Sequence, residues 1–109
     1  MTRPVVHIAG ARPNFPKLAP VMRGLAARGV PQTLVHTGQH YDDAMSDAFF
    51  RDLELPTPDV NLGVGSGSHG QQTAALLVAL EEALSALDPS LVLVYGDINS
   101  TLAAAITAA

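Results

Sequence analysis

The chain has 109 residues, 48% hydrophobic and 15% charged, which fits one globular domain or part of one. Ten acidic residues against six basic ones give a net charge of −4, and Lys17 is the sole lysine. That balance leaves no basic stripe to follow a nucleic-acid backbone, and the absence of cysteine removes disulfides, thiol nucleophiles and cysteine-ligated zinc. No apolar run approaches the roughly 18–20 residues of a bilayer-spanning helix. Met1-Thr2-Arg3-Pro4 leads into a short strand-like stretch, without a signal peptide's long apolar segment and small-residue cleavage site. A cytoplasmic protein is expected, whose partner is a small molecule, not a nucleic acid or a membrane.

Strand-like and helix-period segments alternate along the chain. Pro4-Val5-Val6-His7-Ile8-Ala9 is a short apolar run ending at Gly10, read as a buried strand. Leu18, Val21, Met22, Leu25 and Ala26 then recur on one face of a helix that Gly29 ends. Pro16 and Pro20 predict that this helix begins late or bends. Gln32 to His36 reads as a second strand, followed by a loop from Thr37 to Tyr41. Asp42 or Asp43 is placed to cap a helix carrying Met45, Ala48, Phe49 and Leu53. Leu55 to Gly70 is rich in Pro, Gly and Ser, a loop with one short extended piece at Val60–Leu62. Gln71 to Leu87 is an amphipathic helix through Leu76, Leu77, Leu80, Leu84 and Leu87, stopped by Asp88-Pro89. Leu91-Val92-Leu93-Val94-Tyr95 shows no alternation and is read as a strand covered on both faces. Gly96 to Ser100 turns into a last helix.

This order predicts an α/β fold, a doubly wound parallel sheet built from right-handed crossovers. Ligands of such sheets sit at the carboxyl ends of the strands. The strands here run into Gly10-Ala11-Arg12-Pro13, Thr37 to Asp42, and Gly96-Asp97, so the site is expected there. The last residues, Ala103 to Ala109, carry no helix-stopping signal, and the chain is expected to be the front of a longer protein.

The chemistry follows from residue type. Arg12 offers a planar fork of donors and Lys17 a point charge beside a helix amino terminus, a set suited to a phosphate or diphosphate; the other reading is two solvated surface cations. Asp97 follows an apolar strand and Gly96, where a partly desolvated carboxylate is tunable as an acid or base; its competing role is a helix cap. Gly65-Ser66-Gly67-Ser68-His69-Gly70 has the spacing of a dinucleotide fingerprint. It follows two prolines and a weak strand, so it is read as a Gly/Ser loop that closes over a ligand or caps a helix. His69 in that loop reaches either a ligand or water. His36 and His40 are four apart, but Thr37-Gly38 interrupts them, and no metal site is read there. His40 is read as a neutral hydrogen-bonding group, and His7 as a satisfied strand residue.

Together, Gly10-Ala11-Arg12-Pro13-Asn14-Phe15-Pro16-Lys17-Leu18-Ala19-Pro20, Thr37-Gly38-Gln39-His40-Tyr41-Asp42 and Val94-Tyr95-Gly96-Asp97-Ile98-Asn99-Ser100-Thr101-Leu102-Ala103 resemble the non-hydrolysing UDP-N-acetylglucosamine 2-epimerase family. Gly63 to Ala74 also looks like one branch of it. The resemblance implies two Rossmann-like domains of the glycosyltransferase-B type, with residues 1–109 an incomplete first domain and the active site in the cleft between the two. It implies elimination of UDP from UDP-N-acetylglucosamine and re-addition to give the C2 epimer, without a cofactor. Homodimers and a role in polysaccharide biosynthesis are further implications. By position, Gly10, Arg12 and Lys17 match nucleotide-sugar contacts, Asp97 the first catalytic carboxylate, and Gln39 and His40 the contacts of a second UDP-sugar in regulated bacterial members. Tyr41-Asp42 departs from the polar residues of those members. The family's two glutamates and its catalytic histidine fall beyond Ala109, so this segment alone is expected to be inactive.

Three other readings share these motifs. A sister epimerase acts on another UDP-2-acetamido sugar, such as a diacetamido uronate. A hydrolysing epimerase releases free N-acetylmannosamine, and Gly-Ala-Arg-Pro-Asn-Phe looks less like its motif. A non-catalytic nucleotide-sugar-binding module would keep only the binding half of the inventory.

Overall fold

The computed structural model describes residues 3–10, 14–37, 51–53, 55, 58–63, 68–95 and 106–107. Its elements are β1 (Val5–Ala9), α1 (Asn14–Ala27), β2 (Gln32–His36), β3 (Val60–Asn61), α2 (His69–Leu87) and β4 (Leu91–Val94). The helix expected around Met45 to Leu53 lies mostly outside the described residues, of which Arg51 and Asp52 are helical. The last helix shows only as Ile106 and Thr107.

The sheet is parallel throughout, in the order β3-β2-β1-β4. β1 pairs with both β2 and β4, Val5 lying opposite Gln32 on one side and Leu91 on the other. The chain therefore winds outward from β1 to β3, and α2 carries it back across the sheet to β1's free edge. Strand order reverses between β1 and β4.

The two faces are covered by different helices. Val6, Ile8 and Val35 pack under Leu76, Leu80 and Leu84 of α2. Ala9 and Leu34 pack under Phe15, Leu18, Ala19 and Met22 of α1, with Leu55 beside them. Alternation along the strands enforces this division, since successive side chains point to opposite faces. Every residue of β1 is buried, as a central strand of a doubly wound sheet must be. Each fully buried leucine in these layers contributes about 1.5–3 kcal/mol.

Two expectations need correction. The buried stripe of α1 begins at Asn14 and Phe15, while Val21 and Ala26 face solvent and Leu25 is half-buried. Pro16 does not delay the helix, because it falls in the first turn, where backbone N–H groups have no intrahelical acceptor. Pro20 lies inside the helix on its exposed side. The second correction concerns β4, which is not covered on both faces: Leu91 is 53% and Val94 37% exposed. β4 pairs only with β1 among the described residues, so it is an edge here and its side chains are half covered.

The helix ends follow the sequence. Gly29 has φ 71°, its N–H donates to Ala26 O and that of Val30 to Leu25 O, the paired bonds of a Schellman motif. α2 starts with a capping box: Ser68 Oγ accepts from Gln71 N–H, and Gln71 Oε1 accepts from Ser68 N–H. It stops at Asp88, left-handed at φ 46°, whose N–H donates to Leu84 O. Arg3 then latches that end to the foot of β1. Its guanidinium donates to Asp88 O and Pro89 O and pairs with the Asp88 carboxylate at 3.3 Å.

His36 is buried against Phe15, their ring centroids 5.5 Å apart, and loss of water pushes it down to about 4. The same cause lowers His7, which is fully buried. Both stay neutral in the fold, whereas in the unfolded chain they take up protons below about 6.5. Stability is therefore complete above pH 6.5 and falls as pH drops towards 4, by ~3 kcal/mol for His36 alone. Urea unfolding of the whole protein across this range is expected to show that loss. His36→Phe should flatten the slope, and an unchanged slope would remove His36 as its source.

Candidate functional site

Strand order reverses between β1 and β4, and in such sheets the crevice that takes the ligand usually lies outside the carboxyl ends of the strands at that reversal. Gly10 leaves β1 on one side of it and Tyr95 leaves β4 on the other. The side chain of Asn14, first residue of α1 and 2% exposed, joins the two. Its Oδ1 accepts from Gly10 N–H at 3.0 Å, and its Nδ2 donates to Tyr95 O at 2.8 Å. One amide thus ties the first turn after β1 to the segment after β4.

Tyr95 is held at its other end too. Gln32 Nε2 donates to Met22 O, which turns Gln32 Oε1 towards His7. That oxygen accepts from His7 Nε2–H at 2.7 Å, so His7 Nδ1 is the acceptor for the Tyr95 hydroxyl, also at 2.7 Å. Burial pushes Tyr95 up to about 12, so the hydroxyl keeps its proton and remains a donor. His7 is the satisfied strand residue expected from the sequence.

Of the expected site residues, Gly10 is buried at the end of β1, and Lys17 is exposed on the first turns of α1, on the crevice side of the sheet. His69 opens α2. Arg12, Gln39, His40 and Asp97 lie outside the described residues. Asn14 and the Tyr95 carbonyl had no role assigned from sequence. Their signal is weak, a short amide side chain at the start of a helix, where capping is the common use.

The Gly65-to-Gly70 segment does not behave as a dinucleotide fingerprint. The third glycine of such a motif lets helix and strand pack closely, yet a Cβ at Gly70 would meet nothing within 4 Å. The strand before it is the two-residue edge β3, and Ser68 and Gln71 are used in the cap. Among the described residues no group of three His, Asp or Glu side chains is placed to hold a metal ion, and no helix is long and apolar enough to cross a membrane. A cavity of about 550 Å³ lined by Arg3, Ser85, Asp88 and Ser90 lies at the amino-terminal end of β4, opposite the crevice.

Comparison with known proteins gives this geometry its context. Residues 24–109 match the family model described as UDP-N-acetylglucosamine 2-epimerase. The chain belongs to that family. A UDP-N-acetylglucosamine 2-epimerase homolog of Methanococcus maripaludis is 54% identical, over 94% of this chain and 28% of its own length. A UDP-2,3-diacetamido-2,3-dideoxy-D-glucuronate 2-epimerase of Pseudomonas aeruginosa is 43% identical, over 95% of this chain and 30% of its own. The crystal structure of the Methanocaldococcus jannaschii UDP-GlcNAc 2-epimerase in complex with UDP-GlcNAc and UDP superposes with a TM-score of 0.89 at 41% identity, covering 95% of this chain and 29% of that one. The chain thus spans less than a third of the length of these epimerases.

Tyr95→Phe removes the hydroxyl that donates to His7 Nδ1 and leaves that buried acceptor without this donor. The epimerase-family chain is expected to lose about 1–3 kcal/mol of stability in denaturant titration. No loss would mean that His7 finds another donor.

Proposed function

We propose that the protein containing this chain interconverts UDP-N-acetylglucosamine and UDP-N-acetylmannosamine by elimination and re-addition of UDP. The observation that carries the reading is the Asn14 bridge at the strand-order reversal, in a chain of this family. We also propose that residues 1–109 are the incomplete first Rossmann-like domain of a two-domain, glycosyltransferase-B-type enzyme. Its working form is a cytoplasmic homodimer serving polysaccharide biosynthesis. The share of the relatives that the chain spans supports the first of these; the rest comes from the family resemblance.

The chemistry fits the residues. The C2 hydrogen of a hexosamine is not beside a carbonyl, so direct deprotonation is prohibitive near neutral pH. Breaking the C1–O bond to the diphosphate builds positive charge at C1 and makes that hydrogen acidic. Removal of the C2 proton and departure of UDP form a C1=C2 double bond, giving 2-acetamidoglucal. UDP then re-adds at C1 and a proton enters the opposite face of C2. Atoms balance and no net oxidation occurs. Arg12 and Lys17 hold the diphosphate as charge builds on it, Gly10 contributes the lack of a side chain beside it, and Asp97 handles a proton. Gln39, His40 and His69 contribute hydrogen bonds to the UDP-sugar.

One observation favours a second reading of the substrate. The Pseudomonas relative named for a diacetamido-glucuronate is 43% identical, so UDP-2,3-diacetamido-2,3-dideoxy-glucuronate is the alternative sugar. Incubating the whole protein with each UDP-sugar in deuterium oxide tests both. Epimer formation with deuterium at C2 from one of them is expected, and neither would overturn the function.

Two substitutions in the whole protein separate binding from chemistry. Arg12→Ala is expected to weaken UDP binding by about 1.5–3 kcal/mol, the range for hydrogen bonds to charged groups, and Arg12→Lys to recover only part of it. Unchanged calorimetric affinity in both would return Arg12 to the surface. Asp97→Asn keeps shape but not the titratable carboxylate, so turnover should fall by roughly 10²–10⁴ with UDP affinity little changed. Near-normal deuterium exchange at C2 would remove Asp97 from the mechanism.

A further inference from the structure

We propose that Asn14 is a positioning residue for the epimerase reaction, holding the chain that leaves β1 against the chain that leaves β4. The proposal rests on the epimerase reading above and deepens it. Its basis is the bridging amide: Oδ1 accepts from Gly10 N–H at 3.0 Å and Nδ2 donates to Tyr95 O at 2.8 Å. These partners are 81 residues apart from Asn14 in one case and four in the other, on different strands. Among the described residues the β1–β4 pairing ends at Ile8 and Val94, so this tie lies beyond the ladder.

Chain geometry carries the tie to the reacting groups. Arg12 is two residues from both Gly10 and Asn14 in the sequence, as Asp97 is from Tyr95. The Asn14 amide thus joins the two points from which the chain runs on to the cation and to the carboxylate of the epimerase reading. The amide is also rigidly held. Asn14 is 2% exposed, and Tyr95 is fixed independently through its hydroxyl on His7. Neither half of the bridge is free to swing without breaking a buried hydrogen bond.

Such a bridge matters more to chemistry than to binding. UDP alone engages the cation side, whereas elimination needs C1–O cleavage and C2 deprotonation together, with both groups in register. Asparagine suits the position because it donates and accepts from one planar group. Aspartate keeps the acceptor for Gly10 N–H, but loses the donor and sets a carboxylate against the Tyr95 carbonyl.

The test uses Asn14→Ala and the isosteric Asn14→Asp in the whole protein. UDP affinity, KM and kcat per folded site are measured, with folded fraction from denaturant titration. Leu80→Val, in the core on the opposite face of the sheet, controls for destabilisation alone. The expected result is a 10- to 100-fold fall in kcat in both variants, with UDP affinity and KM within threefold of wild type and the Leu80→Val kcat per folded site unchanged. Deuterium exchange at C2 should fall in parallel. A normal kcat per folded site in an active protein, or a loss confined to UDP affinity and KM, overturns the positioning role alone. A wild-type protein that turns over neither UDP-sugar overturns the epimerase reading and this role with it.

Discussion

The rest of the structure hangs on the complete enclosure of β1. Its backbone is paired on both edges and its side chains are buried on both faces, so neighbours must arrive from four directions. α1 and β2 are local in sequence and supply two of them. The other two come from α2 and β4, near the opposite end of the chain. Placing β4 beside β1 rather than beyond β3 creates the reversal of strand order, the point at which such sheets usually take their ligands. That reversal is a by-product of how the central strand is covered.

A polar residue in that strand sharpens the constraint. His7 has no access to water, so each ring nitrogen needs a protein partner. Gln32 on β2 and Tyr95 after β4 provide them, and Gln32 is itself oriented by the Met22 carbonyl of α1. Three elements around β1 must be in register for this chain of bonds to close. An apolar residue at the same point would pack but would not report a register error between strands.

Much of this was legible in the residues. Gly29, Asp88-Pro89 and the short run of β1 up to Gly10 mark ends and strands by steric and solvation rules that act locally, and they fell where expected. Helix phase was harder to read, because Pro16 looks like a barrier until its place in the first turn is known. The misjudged burial of Leu91 and Val94 has a different cause. Composition reports how apolar a strand is, while exposure depends on which neighbours it receives. The polar segments after each strand are what the sequence offers for a site, and most of their residues lie outside the described ones. The bridge beside them was not legible, since an asparagine that joins Gly10 and Tyr95 looks the same in sequence as one that caps a helix.

The latch at the foot of the sheet has a consequence for how the chain comes into being. Arg3 reaches Pro89 across 86 residues, and Ser90 N–H donates to Pro4 O beside it. On the ribosome, β1, α1 and β2 can assemble early, but the second edge of β1 stays open until the residues of β4 have emerged. During that interval the central strand of the sheet offers unpaired N–H and C=O groups to any extended segment nearby. The mature fold hides β1 completely, and the growing chain leaves its second edge bare until residues 91–94 have emerged. Vectorial synthesis, rather than the finished protein, is the stage at which this sequence is most open to mispairing and to chaperone capture.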